Sequence, residues 1–553
     1  MKKTVTTILA LAALLAIAGN ALAERTVEDR LKALEQKVRT LQVTDAKDKI
    51  QWSGDLRVEA HSIQGDIPDY IDGMRMQNLF FETMFMMNHA SFDPNSFDPT
   101  QVTAGMMDQF AMANYVDYQV FQGMTSFDDV KAWVQGMMAD PNYGPAFAML
   151  MPVYAADAYR QGFKVDNDIL YTTRLRLNMD AKVADDVTFS GRLSMYKPWG
   201  ASTQTSVFNG QANTLNTDAN WPGVPGDATL KVDRAYFTWK HSFFEPMYLS
   251  LGRRPSTDGP PLHYRHDEVR QGTPMGTLID FQFDGATLGW HLGENSTLRA
   301  CYGLGYESQY GNGLISAENA LKDAQFFGFN IDAWDTKEMQ IQTTIARAFD
   351  ITDGFNGEII LPASPVSGVA MPGPIPVRFT PSANLGDFDI ASLLVSRTDG
   401  PLDWFVTGSW SKSRPDNVTG AFGGLLCDPY ETPESQTGSM YYLGARYNLT
   451  DGKTKVGLEW NKGSQYWFNF APSQDDLVAP KTSTRGTVWE GYVTHRIRKT
   501  FVVKLAYIHY DYDYTGSGWH VGAPKEIGDQ PAMVGFPTYS TVDKLSLGFS
   551  ARF

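Results

Sequence analysis

From Ile50 to its end the chain keeps returning to one pattern, in which every second side chain is apolar and those between are polar or charged. In the first instance Ile50, Trp52, Gly54, Leu56, Val58 and Ala60 share one face, and Gln51, Ser53, Asp55, Arg57, Glu59 and His61 the other. A period of two is the mark of an extended strand with one apolar and one polar side. One such segment would suit any half-buried strand, so the constraint lies in the repetition. Comparable stretches are expected over 169–183, 187–196, 229–240, 247–253, 276–292, 297–307, 324–333, 339–348, 386–397, 402–413, 438–449, 454–463, 485–497, 500–512 and 542–553. That makes sixteen. Their links alternate between tight ones, such as Ala184-Asp185-Asp186, Asp399-Gly400-Pro401 and Asp451-Gly452-Lys453, and long ones after Tyr196, Arg253, Ala348, Ser413, Gly463 and Tyr512. Bacterial outer-membrane barrels are strung in this way, with an even number of strands, tight turns at one end and long loops at the other.

The expected fold is therefore an all-β transmembrane barrel, antiparallel and up-and-down, of about sixteen strands. Eighteen is the alternative count, because Asp284-Gly285 could turn a hairpin inside 276–292. A single long strand with a glycine bulge keeps the number even and is preferred. Past its first residues the chain has no run of eighteen apolar residues, and its mean hydropathy is -0.29. Membrane-spanning helices are excluded, whereas alternating strands average to such a neutral value.

The two ends add targeting signals. Lys2 and Lys3, the apolar stretch Ile8 to Ala18 and the small-residue site Ala21-Leu22-Ala23 predict a cleaved secretory signal over residues 1–23. Val27, Leu31, Leu34, Val38 and Leu41 then repeat at spacings of four and three, which predicts a short periplasmic coiled-coil stalk over 24–45. Such a helix is marginal alone and sensible where three barrels bring three copies together. A solvated amphipathic helix on the barrel rim is the plainer alternative. At the other end Leu545, Leu547, Phe549, Ala551 and Phe553 alternate with Lys544, Ser546, Gly548, Ser550 and Arg552, and the sequence stops on an aromatic. This resembles the terminal signature of outer-membrane proteins, in which the last aromatic, here Phe553, is an assembly signal read by the barrel-assembly machinery. The barrel, residues 50–553, is expected in a Gram-negative outer membrane with both chain ends in the periplasm.

Stalk, repeated strands and Phe553 together resemble trimeric Gram-negative porins over the whole mature chain. The stretches Gly252-Arg253-Arg254-Pro255-Ser256-Thr257-Asp258-Gly259-Pro260-Pro261 and Phe283-Asp284-Gly285-Ala286-Thr287-Leu288-Gly289 look like those of a porin-like family of bacterial outer-membrane proteins with no assigned function. The resemblance implies a homotrimer in outer-membrane lipid that lets small hydrophilic solutes or ions diffuse passively. It supplies no substrate.

If the polar faces point inward, the pore is lined by Arg57, Arg174, Arg176, Arg192, Arg299, Arg446, Lys455, Arg496, Lys504 and Lys544 against Asp55, Glu59, Asp180, Asp280, Glu459 and Glu490. The wall leans cationic within a chain of net charge -15. Fixed charge along a narrow channel biases the ions that pass, so a mild anion preference is expected. The competing reading is a plugged barrel whose wall charges are salt-bridged. The stretch from Arg253 to Gly272 concentrates Arg253, Arg254, Asp258, Arg265, Asp267, Glu268 and Arg270 with His263 and His266, stiffened by prolines. Porins narrow their lumen with an inward loop that sets basic against acidic groups, and this loop is the candidate constriction; a solvated external loop is the alternative. Replacing Arg253 and Arg254 with Ala is expected to alter conductance.

Residues 62–168 form an insertion unlike the rest, rich in methionine and helical in pattern, with Ser126 and Asp129 reading as a capping box. Methionine fills irregular cores, so a helical plug or external cap is the plain reading. A docking surface for a partner protein such as an electron carrier, and a Cu(I) site, follow behind it. The two cysteines, Cys301 and Cys427, carry no CxxC, haem-attachment or zinc spacing, so no cofactor or metal is expected. The acidic balance speaks against nucleic acid. The nine histidines include no HExxH and there is no GxSxG, so an outer-membrane hydrolase is not expected. Two functional alternatives remain: a barrel sheath or docking component for an electron-transfer cytochrome complex, and a plugged substrate-specific transporter.

Overall fold

In a computed structural model of the protein, the residues described are 50–93, 95–114, 144–200, 228–307, 321–353, 357–361, 375–379, 383–418, 423–429, 431–472, 474–518, 522–535 and 537–553, with a few isolated positions besides. Sixteen antiparallel strands close on themselves, β1 pairing with β16. They are β1 (Ile50–Ile67), β2 (Phe163–Lys182), β3 (Val187–Pro198), β4 (Lys231–Lys240), β5 (Met247–Arg253), β6 (Asp284–Gly293), β7 (Ser296–Tyr306), β8 (Ala324–Asp335), β9 (Met339–Thr352), β10 (Asn384–Asp399), β11 (Leu402–Pro415), β12 (Thr437–Asn448), β13 (Thr454–Gly463), β14 (Gly486–Arg498), β15 (Phe501–Tyr512) and β16 (Thr541–Arg552). Closure removes every sheet edge, which is what lets strands sit in hydrocarbon with no backbone group left unpaired.

The alternation sorts the two faces. Leu56, Ile345, Leu393, Leu458, Leu505 and Leu547 are exposed on the outside, with Trp52, Trp239, Trp290 and Trp334 near the tight-turn end and Tyr171, Trp410, Tyr441 and Trp489 near the long-loop end. An apolar band between aromatic girdles is the lipid-facing surface of an outer-membrane barrel. At the seam Asp55 lies opposite Arg552 and Val58 opposite Phe549. Phe553 continues the ladder with two backbone bonds to Gly54, of 2.9 and 3.0 Å. Its ring covers Gly54 so closely that a Cβ there would stand 2.7 Å from it.

The expectation of one strand over 276–292 is corrected. The strand begins at Asp284, and residues 276–283 belong to a loop that runs inside the barrel. Leu278, Phe281 and Phe283 look like strand residues because the loop is packed against the wall and another loop, so it needs apolar side chains as a strand does. Asp284-Gly285 accordingly opens β6 and turns no hairpin.

The insertion has a core of its own. Helices α1 (Gly73–Asn88), α2 (Ala104–Ala113) and α3 (Gly144–Ala158) enclose Leu79, Met84, Met87, Met107, Phe147, Leu150 and Tyr154. Asp72 and Thr103 cap α1 and α2 by accepting from the backbone of Arg75 and Met106. Residues Tyr70–Asp72 and Tyr159–Arg160 pair with each other where the insertion leaves and rejoins the barrel, and Tyr70–Asp72 also pair with Ala532–Val534 of the last long loop. The insertion is thus moored at the long-loop end. The signal, the stalk seam Val27, Leu31, Leu34, Val38 and Leu41, and the capping box at Ser126 and Asp129 lie outside the described residues.

Candidate functional site: the crossed lumen

Two loops fold back into the barrel, residues 254–283 between β5 and β6 and residues 464–485 between β13 and β14. The first doubles back on itself as a narrow strut. Gly272 donates to the Asp258 carbonyl at 3.1 Å and Thr273 to that of Pro255 at 3.0 Å. The arms press so closely that a Cβ at Gly259 would stand 1.9 Å from the Pro274 oxygen. Asp267 ends a short 3-10 turn, Tyr264–His266, with φ 49°, a left-handed conformation that Asp tolerates better than most side chains. The two loops also hold each other, since Phe470 donates to the Leu278 carbonyl at 2.8 Å and Asp280 to that of Phe470 at 2.7 Å.

Ion pairs carry the strut from wall to wall. On the β2–β4 side Asp258 accepts from Arg192 at 2.7 Å and Arg234 at 3.1 Å, and Glu268 accepts from Arg176 at 2.9 Å. Across the lumen Asp267 accepts from Lys455 of β13 at 2.6 Å, Arg496 of β14 at 3.0 Å and Arg446 of β12 at 3.4 Å. Arg265 reaches Glu490 of β14 at 3.1 Å, and Arg270 reaches Asp332 of β8 at 3.2 Å. Arg552, in the last strand, donates to the backbone oxygens of His266 and Asp267. Removing one member of such a buried pair strands the other in a low dielectric, which costs about 3–5 kcal/mol.

The second loop supplies what the wall lacks. Asp475 accepts from Arg57 at 2.8 Å and Arg174 at 2.5 Å. Burial alone would raise the Asp475 carboxyl, but Arg57 and Arg174 overcome it and hold it well below the usual carboxylate range. Asp476 pairs with Arg265 at 2.9 Å. Lys481, almost wholly buried, donates to Glu490 at 2.6 Å and to Glu459. Lys504 also donates to Glu490, at 3.3 Å, and Asp55 of β1 accepts from Arg176 at 2.6 Å and Arg174 at 3.2 Å. In sharp contrast, the β8–β12 side of the lumen is dry: Leu262, Met275, Leu278 and Trp467 of the loops pack on Phe388, Leu394, Phe405 and Met440 of the wall. Between the loops and β1, β14, β15 and β16 stays a narrow polar gap, with about 470 Å³ of empty space of which part is open to solvent, lined by Arg57, Glu59, His61, Arg265, Asp475, Glu490, Lys504 and Lys544 among others.

Of the pore-lining residues expected from the sequence, Arg57, Arg174, Arg176, Arg192, Arg446, Lys455, Arg496, Lys504, Asp55, Glu59, Glu459 and Glu490 meet partners within this network. Lys544 lines the polar gap and Asp280 is buried in the strut, whereas Asp180 is exposed near the tight-turn end and accepts from Ser190. Arg299 faces inward as well and is bound to Asp332 at 2.6 Å and Asn330 at 2.8 Å. Of the constriction candidates, Asp258, Arg265, Asp267, Glu268 and Arg270 join the strut to the wall. Arg253 does not, because it ends β5 in register with Ala235 and Asp284 and pairs with Asp284 at 3.2 Å. Arg254 lies at the foot of the strut, its guanidinium 5.2 Å from the Tyr236 ring centre. Sequence reasoning missed Arg234, Asp332 and Asp403 on the wall and the whole of the 464–485 loop. A signal existed: Trp467, Phe468, Phe470 and Leu477 beside Asp475, Asp476, Lys481 and Arg485 are too apolar and too charged together for a loop in water. Among the described residues no group of three or more His, Cys, Asp or Glu could hold a metal ion.

Residues 164–553 match the family described as "Protein of unknown function (DUF3373)". No curated protein matches the sequence. Among solved structures, outer-membrane expressed OmpT of Vibrio cholerae is similar over 91% of this chain and 97% of its own, at 11% identity and a TM-score of 0.37. OprB of Pseudomonas putida is similar over 92% and 96%, at 9% identity and a TM-score of 0.40. Likenesses this distant leave the function to be argued from the barrel itself.

Proposed function

The chain belongs to the family described as "Protein of unknown function (DUF3373)", and on the geometry of its lumen we propose that it is a porin-type channel of the outer membrane. The observation that carries the reading is the polar gap beside two inward loops, in a barrel whose outer face is apolar and whose inner face carries ionised side chains around that gap. A closed barrel gives ions and small hydrophilic solutes a route through lipid, and the strut makes that route narrow. Fixed charges of both signs line it, Arg57, Lys504 and Lys544 against Glu59, Asp475 and Glu490. Selectivity is then weak, with a mild preference for anions from the cations of the wall. The long-loop end faces outward and the tight turns, with both termini, face the periplasm. Signal cleavage after Ala23, recognition of Phe553 by the assembly machinery and a trimer joined by the stalk complete the proposal. The channel works by passage and not by bond chemistry, and it needs no cofactor.

A second reading, the plugged substrate-specific transporter, is favoured by one observation, the density of buried ion pairs between loops and wall. Single-channel recording on the purified protein, with and without residues 73–158, separates the two. A steady conductance in the full-length protein supports the channel. Silence before the deletion and conductance after it supports a closed transporter, and silence in both removes the channel reading. Co-purification of a haem-staining protein tests the sheath for a cytochrome.

A further inference from the structure

The strut leaves a second cavity on the opposite side of the lumen, and its chemistry differs from that of the polar gap. It lies between the strut residues Ser256, Thr273 and Ile279 and the inner wall of β7, β8 and β9, and contains about 550 Å³ of empty space, part of it open. Small wall residues make the room: Cys301, Gly303, Gly328 and Ala346 stand where larger side chains would fill it. Gly328 in particular has no space for a Cβ, which would stand 2.5 Å from that of Ala346. Phe283 and Phe326 stack at the rear with centroids 5.2 Å apart and give the cavity an aromatic wall.

One cation looks into this apolar space. The Arg254 guanidinium donates to Ser250 Oγ and lies over the Tyr236 ring, while its Nε is buried without a partner. Among the described residues no carboxylate pairs with it. Neighbouring arginines are engaged, Arg299 with Asp332 at 2.6 Å and Arg253 with Asp284 at 3.2 Å. A half-buried guanidinium whose Nε is buried without a partner, and which pairs with no acid among the described residues, is a place for a carboxylate that arrives from outside.

We propose that this cavity binds a small organic acid with an apolar body, a single-ring aromatic carboxylate above all, its carboxylate on Arg254 and its ring against Phe283 and Phe326. This deepens the channel reading and rests on it, because it names a class of solute for which the barrel is selective. A multiply charged phosphate fits poorly, since one guanidinium in a mostly apolar pocket matches one negative charge attached to a hydrocarbon.

Isothermal titration of the purified full-length protein in nonionic detergent, with benzoate and with its neutral isostere benzamide, tests the proposal without any mutation. Saturable benzoate binding at least about tenfold tighter than benzamide is expected, the factor that corresponds to about 1.4 kcal/mol. The variant R254Q is expected to bind both alike, with folding checked by its heat-shifted gel mobility. Equal affinity of the two compounds for the wild type, no saturable benzoate binding, or a benzoate preference that R254Q retains each overturns it. Conductance is recorded on the same preparation. A conducting protein that ignores benzoate loses this inference and keeps the channel reading, whereas a silent protein that binds benzoate through Arg254 keeps the site and loses the channel.

Discussion

Asp267 is the residue on which the strut balances at its far end. Three cations from three strands, Arg446, Lys455 and Arg496, converge on one carboxylate. Burial would raise that carboxyl, and the three cations bring it below its ordinary value, so it is ionised at neutral pH. The variant D267N removes the charge and keeps the shape, which leaves Lys455 and Arg496 without this carboxylate and Arg446 with Asp403 alone. Reversal potentials in a salt gradient are expected to move toward anion selectivity, and an unmoved potential would deny the strut its part in the pore. Lys481 makes the complementary case for stability. It sits between Glu459 and Glu490 and 4.8 Å from the Tyr442 ring centre. K481M leaves two buried carboxylates short of a partner and is expected to cost about 3–5 kcal/mol, read as a shift in the urea unfolding midpoint. At the seam, Gly54 is fixed by its neighbours, because a Cβ would meet both the Arg176 carbonyl at 2.5 Å and the Phe553 ring. G54V is expected to impair closure of β1 on β16 and to lower the fraction of chain that resists unfolding in sodium dodecyl sulfate.

The helical insertion is an element with its own acid–base character. Glu82 of α1 is partly buried near Asp108 of α2, which itself accepts two bonds from Arg75 at 2.7 and 2.9 Å; Arg75 also donates to Asp157 of α3 at 2.7 Å. Burial first, and the Asp108 charge second, push the Glu82 carboxyl up from 4.5 to about 8. The folded insertion thus holds a proton that the unfolded chain releases near pH 4.5. Its contribution to stability is complete below that pH and is lost progressively as pH rises toward 8. The helical unfolding transition, followed by circular dichroism, is expected to fall in temperature over this window, and E82Q is expected to flatten the dependence. Within the same elements lies the measure of what the sequence could tell. Strands were legible wherever one face met lipid and the other the lumen, as in β1 or β16, because the two solvents write opposite residues at alternate positions. On β10 both faces are apolar, Ile390 and Leu394 inward and Leu393 outward, and the alternation fades. The strut residues 276–283 imitated a strand for the same physical reason, and Asp475 and Lys481 went unnoticed because a loop's destination is set by tertiary contacts that no local period records.

For the whole molecule, what matters is how the two loops divide the lumen. The strut alone touches β2 to β4, β8, β12 to β14 and β16, and the 464–485 loop fills much of what it leaves, packing Val478 and Ala479 on Val488, Ile508 and Tyr510. An open barrel of sixteen strands is wide enough to hold an aqueous channel, so the narrowness of this one is a property of loops and not of strand number. Replacing residues 466–483 with a short glycine-serine linker between β13 and β14 should leave the barrel closed, since Lys462 and Thr487 already face each other in register. The change removes Asp475, Asp476 and Lys481 together, a net loss of one negative charge, and leaves Arg57, Arg174 and Arg265 with Glu59, Asp55 and Glu490 as their remaining partners. Conductance is expected to rise several-fold and the reversal potential to move toward anions. The anion shift should grow as salt is lowered, because charges on the wall act over a screening length of about 10 Å at 0.1 M salt and about 30 Å at 0.01 M. An unchanged conductance in a closed barrel would mean that ions pass along a route the 464–485 loop does not touch, and the polar gap beside Arg57 and Lys504 would lose its claim to be the passage.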